Sequence, residues 1–156
     1  MPPVYEPPQN RQVKRREPRL QSKELQDWTI VVVDDQVDNL RVAQATLSFC
    51  GATVLTAENG VLGMEIISQH PNVNLIVLDL SMPEMNGWTM LETLRQNPAT
   101  AKIPVIALTA HAMQGDYERV MQAGFNGYIA KPFSVSNLVA NILAIVQTSE
   151  KEEKTS

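Results

Sequence analysis

Disulfides, zinc-binding clusters and membrane spans all lack their raw material in this chain. It has one cysteine, Cys50, and two histidines. Neither an internal disulfide nor a zinc site of cysteine and histidine ligands can be built from these. Cys50 stands just before Gly51 and reads as a small core residue at a helix end. No stretch of 18 or more apolar residues occurs, and the N-terminus is proline-rich and charged, unlike a signal peptide. A soluble, cytoplasmic protein with no membrane contact is expected.

Positive charge is scarce where the chain can fold. Residues 27–148 carry five basic and eleven acidic side chains, a net charge of −6. An acidic body does not suit a nucleic-acid surface, but it suits a protein that binds a cation. Residues 1–26 are different, with six Lys/Arg against three Glu and five of the ten prolines. That composition predicts a mostly disordered basic arm, with a short helical turn capped by Ser22 in SKELQDW. Residues 149–156 predict a disordered tail. The 122 residues between, 27–148, are about one domain's worth.

What is present is a regular alternation. Short apolar runs fall at 30–33, 53–56, 75–78, 105–108 and 128–130. Segments with helical spacing lie between and after them. Val37, Leu40, Ala43 and Leu47 share one helical face, and Val135, Leu138, Ile142 and Ile145 share another. Gly51, Pro98 and Gly124 punctuate the joins. Continuous apolar strands alternating with amphipathic helices imply a parallel sheet covered on both faces. The fold class is therefore α/β, a three-layer doubly wound (βα)5 sandwich.

Such sheets bind ligands beyond the carboxyl ends of their strands. Strand one ends in Asp34 and Asp35, strand three in Asp79, strand four in Thr109 and Ala110, and strand five in Lys131 and Pro132. Each alone has an ordinary explanation. Asp34 or Asp35 caps a helix, Asp79 caps a turn, Thr109 caps the next helix, and Lys131 is a surface charge. Together they are less ordinary, since Lys131 is one of only two lysines between residues 27 and 148. Two like charges about 4 Å apart repel by roughly 4 kcal/mol at an effective dielectric near 20. Three carboxylates therefore call for a cation among them, and a hard divalent ion with oxygen ligands fits. Carboxylate, metal, hydroxyl and lysine are the parts needed to transfer a phosphoryl group to an aspartate.

The stretches VVVDD, IVLDLSMPEMNGW, PVIALTA and GYIAKPF closely resemble the receiver domain of two-component response regulators. The resemblance covers about residues 28–147 and implies a flavodoxin-like sheet of order 2-1-3-4-5. It also implies a stand-alone, chemotaxis-type regulator with Asp79 as phosphoacceptor. Asp35 would be a direct ligand of Mg²⁺, or of Mn²⁺ in its place, and Asp34 a ligand acting mainly through water. The Ser81 backbone carbonyl would complete the protein ligands. Thr109 would bind the phosphoryl group, Ala110 would keep access open, and Lys131 would pair with Asp79 and then with phosphate. Pro132 matches a proline that follows this lysine, commonly across a cis bond. Gly87 falls where such domains turn into the third helix. Tyr128 matches the aromatic switch, Ser81 and His111 match positions that tune acyl-phosphate lifetime, and His70 is assigned no role.

The implied partners are a sensor histidine kinase or histidine phosphotransfer protein, and a downstream protein bound through the fourth helix, fifth strand and fifth helix. That face also serves homodimers among relatives. Enzymatic activity would be confined to the chain's own phosphorylation and acyl-phosphate hydrolysis. Two rivals stand beside this reading. One is a receiver fold that signals without phosphate, although such folds usually lose a site residue that this chain keeps. The other is a haloacid dehalogenase-type phosphatase, but here the acceptor follows the third strand and Ser81 replaces the general acid.

Overall fold

The computed structural model describes residues 23–83, 85–110 and 114–155. Five strands alternate with five helices along these segments. The first half comprises β1 (Thr29–Val33), α1 (Val37–Phe49), β2 (Thr53–Ala57), α2 (Gly60–Gln69) and β3 (Leu75–Asp79). The second comprises α3 (Gly87–Gln96), β4 (Val105–Thr109), α4 (Gln114–Ala123), β5 (Gly127–Ala130) and α5 (Val135–Thr155). All strand pairs are parallel and the order is β2-β1-β3-β4-β5. This is the doubly wound α/β fold expected from the alternation.

The three inner strands, β1, β3 and β4, are buried at every residue. Their apolar runs are continuous because helices cover both faces of the sheet. Strand residues of one parity, such as Ile30, Val32, Leu75, Val77, Ile106 and Leu108, pack with α1 and α5. Those of the other, such as Val31, Ile76, Leu78, Val105 and Ala107, pack with α2, α3 and α4. The two-residue period of a strand thus sorts one apolar run into two cores. Asn59 and Asn86 cap α2 and α3, accepting from the N–H groups of Leu62 and Thr89 at 2.8 and 3.0 Å. After α1 the chain turns through Gly51 at φ +98°, a conformation that disfavours a side chain.

Three features depart from the sequence-based expectations. Leu25 is fully buried and its N–H donates to the Cys50 carbonyl at 2.9 Å, so the packed body begins before residue 27. At the other end α5 continues to Thr155, through the segment expected as a tail. Glu and Lys there are strong helix formers, and propagating an existing helix is far easier than starting one. Val37 and Val135 lie on the expected apolar faces but are exposed. Both open their helices at the carboxyl edge of the sheet, where the first turn overhangs the covered area. The Ser22 cap and most of the arm lie outside the described residues, while residues 24–27 do form a turn.

At the amino edge of the sheet, Arg95 fastens three segments. Its guanidinium donates to the carbonyls of Ala101, Ile103 and Gly124 and to Asn126 Oδ1, at 2.8–3.1 Å. Asn126 Oδ1 also accepts from the Val105 N–H at 2.9 Å, which aligns the entries of β4 and β5. Burial pulls the guanidinium below its ordinary pKa.

Candidate functional site

Strand parity decides which side chains meet at the carboxyl edge. Asp34 continues the series Ile30 and Val32, Asp79 continues Leu75 and Val77, and Lys131 continues Ile129. All three therefore fall on the α1/α5 side of the sheet. Thr109 continues Val105 and Ala107 on the opposite side, which Tyr128 shares. β1 and β3 are neighbours, and Lys131 reaches from beyond β5 past the end of β4 to both carboxylates.

Lys131 Nζ lies 2.9 Å from Asp34 Oδ2 and 3.1 Å from Asp79 Oδ2. Both carboxylates are buried, at 0 % and 2 % exposure. Asp34 is held further by the Gln36 N–H on Oδ1 at 2.9 Å and by Asn39 Nδ2 on Oδ2 at 3.2 Å. It thus serves the start of α1 and faces the lysine at once. The Ser81 N–H donates to Asp79 Oδ1 at 3.1 Å. Asp79 Oδ2 is different, because it is buried yet has no hydrogen bond of acceptable geometry. The lysine is near it but not aligned to it, so proximity rather than a directed hydrogen bond describes that contact.

Burial pushes the Asp79 carboxyl up to about 6, with Asp34's charge adding to the rise. The Ser81 N–H and Lys131 work against that rise. Burial would pull Lys131 down, but its contacts with Asp34 and Asp79 outweigh this and hold the ammonium above the usual lysine value.

Asp35, adjacent to Asp34, is exposed. Asp34, Asp35 and Asp79 each offer a carboxylate oxygen within 4.8 Å of the others. A clustered oxygen donor set beside an orphaned buried carboxylate oxygen fits a hard divalent cation. A cleft of about 400 Å³ opens over this cluster, lined by Asp35, Asp79, Ser81, Ala110, Lys131 and Pro132 together with Gln36 and Asn39. The peptide bond between Lys131 and Pro132 is cis. Gly87 approaches from below, where a Cβ would sit 2.5 Å from the Asp79 carbonyl oxygen and 2.9 Å from Leu80 Cα. A side chain there would displace the backbone that carries Asp79.

The structure thus gathers Asp34, Asp35, Asp79, Ser81, Ala110, Lys131 and Pro132 at one cleft. Thr109 is buried at the end of β4 and Tyr128 is half-buried on β5. His111 lies outside the described residues. Gln36 and Asn39 were not singled out from the sequence. Their only signal is that they are amide side chains in the first turn after an aspartate pair.

Residues 30–143 match the family model of the response regulator receiver domain. The polar-differentiation response regulator DivK of Brucella anthropi is 32 % identical over 114 residues, covering 73 % of this chain and 92 % of its own length. A solved response regulator from Desulfuromonas acetoxidans is similar with a TM-score of 0.70 at 30 % identity, over 78 % of this chain and 98 % of its own. The chemotaxis response regulator CheY4 of Vibrio cholerae shares the fold, with a TM-score of 0.71 at 23 % identity over 76 % and 98 % of the two chains. Among the described residues no helix is long and apolar enough to cross a membrane. With a domain match over most of its length and that identity to DivK, the chain belongs to the response regulator receiver-domain family.

Proposed function

We propose that this chain accepts a phosphoryl group on Asp79 from a phosphohistidine and signals through a phosphorylation-dependent protein contact. The observation that carries this is Asp79 Oδ2, buried without a hydrogen bond beside Lys131, in a residue that lines the cleft. Asp34, Asp35, Asp79 and the Ser81 backbone carbonyl would hold Mg²⁺, or Mn²⁺ in its place, which supplies neutralising charge to phosphoryl oxygens when bound.

The Asp79 carboxylate attacks phosphorus in line, forming an acyl P–O bond as the donor's P–N bond breaks and its electron pair returns to the imidazole. Lys131 passes from the carboxylate to a phosphoryl oxygen, and the Thr109 hydroxyl binds another. Ala110 keeps the entry open by its small size. Water later attacks phosphorus, the acyl P–O bond breaks, and inorganic phosphate leaves as Asp79 returns to its carboxylate, with Ser81 and His111 setting how readily this occurs. No other substrate is turned over.

Once Thr109 moves to the phosphate, Tyr128 turns into the space beside it. On this face β5 and β4 present Ala130 and Ala107 as neighbours, so small side chains leave the ring room to move. The altered α4–β5–α5 face then binds a downstream protein or a second copy. The donor is a sensor histidine kinase or a histidine phosphotransfer protein. Its phosphoryl group comes ultimately from ATP, so the compartment is the cytoplasm.

Intact-protein mass after incubation with acetyl phosphate tests this reading. A single phosphoryl adduct is expected with Mg²⁺, none without it, and none in Asp79→Asn. A folded wild-type protein that takes up no phosphoryl group from acetyl phosphate or from a phosphohistidine donor would leave a phosphate-independent interaction module as the better reading.

A further inference from the structure

Helix α4 is held loosely by its own side chains. Among its described residues only Val120 is buried. Two aromatic contacts supplement it. The Arg119 guanidinium lies 4.9 Å over the Trp88 ring of α3, and that ring meets Phe125 edge-on at 5.6 Å. Two residues before Arg119, the Tyr117 ring meets the Tyr128 ring at 5.5 Å between centroids and 64° between planes. Tyr117 is half exposed, with its ring against that of Tyr128. The two rings also line a groove of about 240 Å³ against Ala144, Ile145 and Thr148 of α5.

This pair joins the helix of the output face to the ring proposed to move. We infer that Tyr117 is a positioning residue that holds the Tyr128 ring against α4 and so sets the resting balance of the switch. This rests on the reading of Tyr128 given above. An edge-to-face pair attracts when its centroids are about 4.5–7 Å apart. Turning a tyrosine about χ1 carries its ring across most of its own length, so an inward turn breaks the pair. The pair is present with Lys131 Nζ on the Asp34 and Asp79 carboxylates, the pairing proposed to precede phosphoryl transfer, so its attraction favours that state. A ligand that favours the inward state must overcome that attraction, and removing it should tighten binding about two- to tenfold.

The test uses the full chain and beryllofluoride with Mg²⁺ as the phosphoryl probe. Calorimetry gives its dissociation constant, and tyrosine ring NMR on the free protein gives the Tyr128 environment. Tyr117→Leu keeps apolar packing and helix propensity while removing the ring, and Tyr117→Phe keeps the ring. Tyr117→Leu should bind the probe about two- to tenfold more tightly. Its free spectrum should move the Tyr128 resonance towards the probe-bound position. Tyr117→Phe should match the wild type within about twofold. The inference is overturned if a folded Tyr117→Leu leaves the Tyr128 ring and the affinity unchanged or weakens binding, or if Tyr117→Phe behaves as Tyr117→Leu does. If the folded wild type binds no beryllofluoride, the phosphoacceptor reading fails instead. The free-protein spectrum then still shows whether Tyr117 positions the ring.

Discussion

The two edges of the sheet hold their charges in opposite ways. At the amino edge, Arg95 spends four hydrogen bonds on neutral oxygens and needs no carboxylate. At the carboxyl edge, two buried carboxylates share one lysine, and Asp79 keeps an oxygen without a hydrogen bond. The first arrangement is closed, since each acceptor is matched to a donor in a planar fork. The second is left short of positive charge, a shortage that the proposed cation would relieve before a phosphoryl group arrives. A charge whose hydrogen bonds are satisfied fastens the fold, whereas one left underpaired can exchange partners.

The sharpest way to break this comparison is to remove each cation in turn. Arg95→Ala should cost about 4 kcal/mol, from four hydrogen bonds worth roughly 1 kcal/mol each. Urea melts should show that loss to be the same with and without Mg²⁺, because among the described residues no cluster of metal-ligating side chains lies at the amino edge. Lys131→Ala should cost about 3 kcal/mol in metal-free protein, less than a fully stranded ion pair would, because Asp79 can take up a proton. Mg²⁺ should recover much of it, and equal losses with and without the ion would erase the distinction between the edges.

A smaller effect follows from the protonation of Asp79. Its carboxyl is raised from 3.8 to about 6 by burial, so the folded state holds the proton more tightly than the unfolded chain does. Stability from this group is greatest below pH 4 and is lost as pH rises through 6. Metal-free wild type should lose about 2 kcal/mol relative to Asp79→Asn between pH 4 and 7. A difference that stays flat across that range would mean that Asp79 is not held in a charge-poor site.

How much of this was legible in the chain differs between the edges as well. The carboxyl edge could be read because a strand ending in Asp79 or Lys131 announces itself against an apolar run, and because parallel strands expose their ends together. The Arg95 fastening could not be read. Its acceptors are mostly backbone carbonyls, which every residue has, spread from Ala101 to Asn126. Asn39 was missed for a related reason, since an amide near a helix start is ordinary until Asp34 Oδ2 is found 3.2 Å away. Val37 and Val135 misled because helical periodicity gives the face of a side chain but not how far the sheet beneath it extends.

The sequence by itself determined the alternation of strands and helices, the sheet's parallel character and the set of charged residues at its carboxyl edge. These follow from local periodicity and from where apolar runs stop. Only the tertiary structure decided that Asp34, Asp79 and Lys131 share one side of the sheet while Thr109 and Tyr128 share the other. It alone left Asp79 Oδ2 without a hydrogen bond and set Tyr117 against Tyr128. Those outcomes depend on the register between strands and on distances between segments far apart in the chain, and neither is encoded in any single stretch of it.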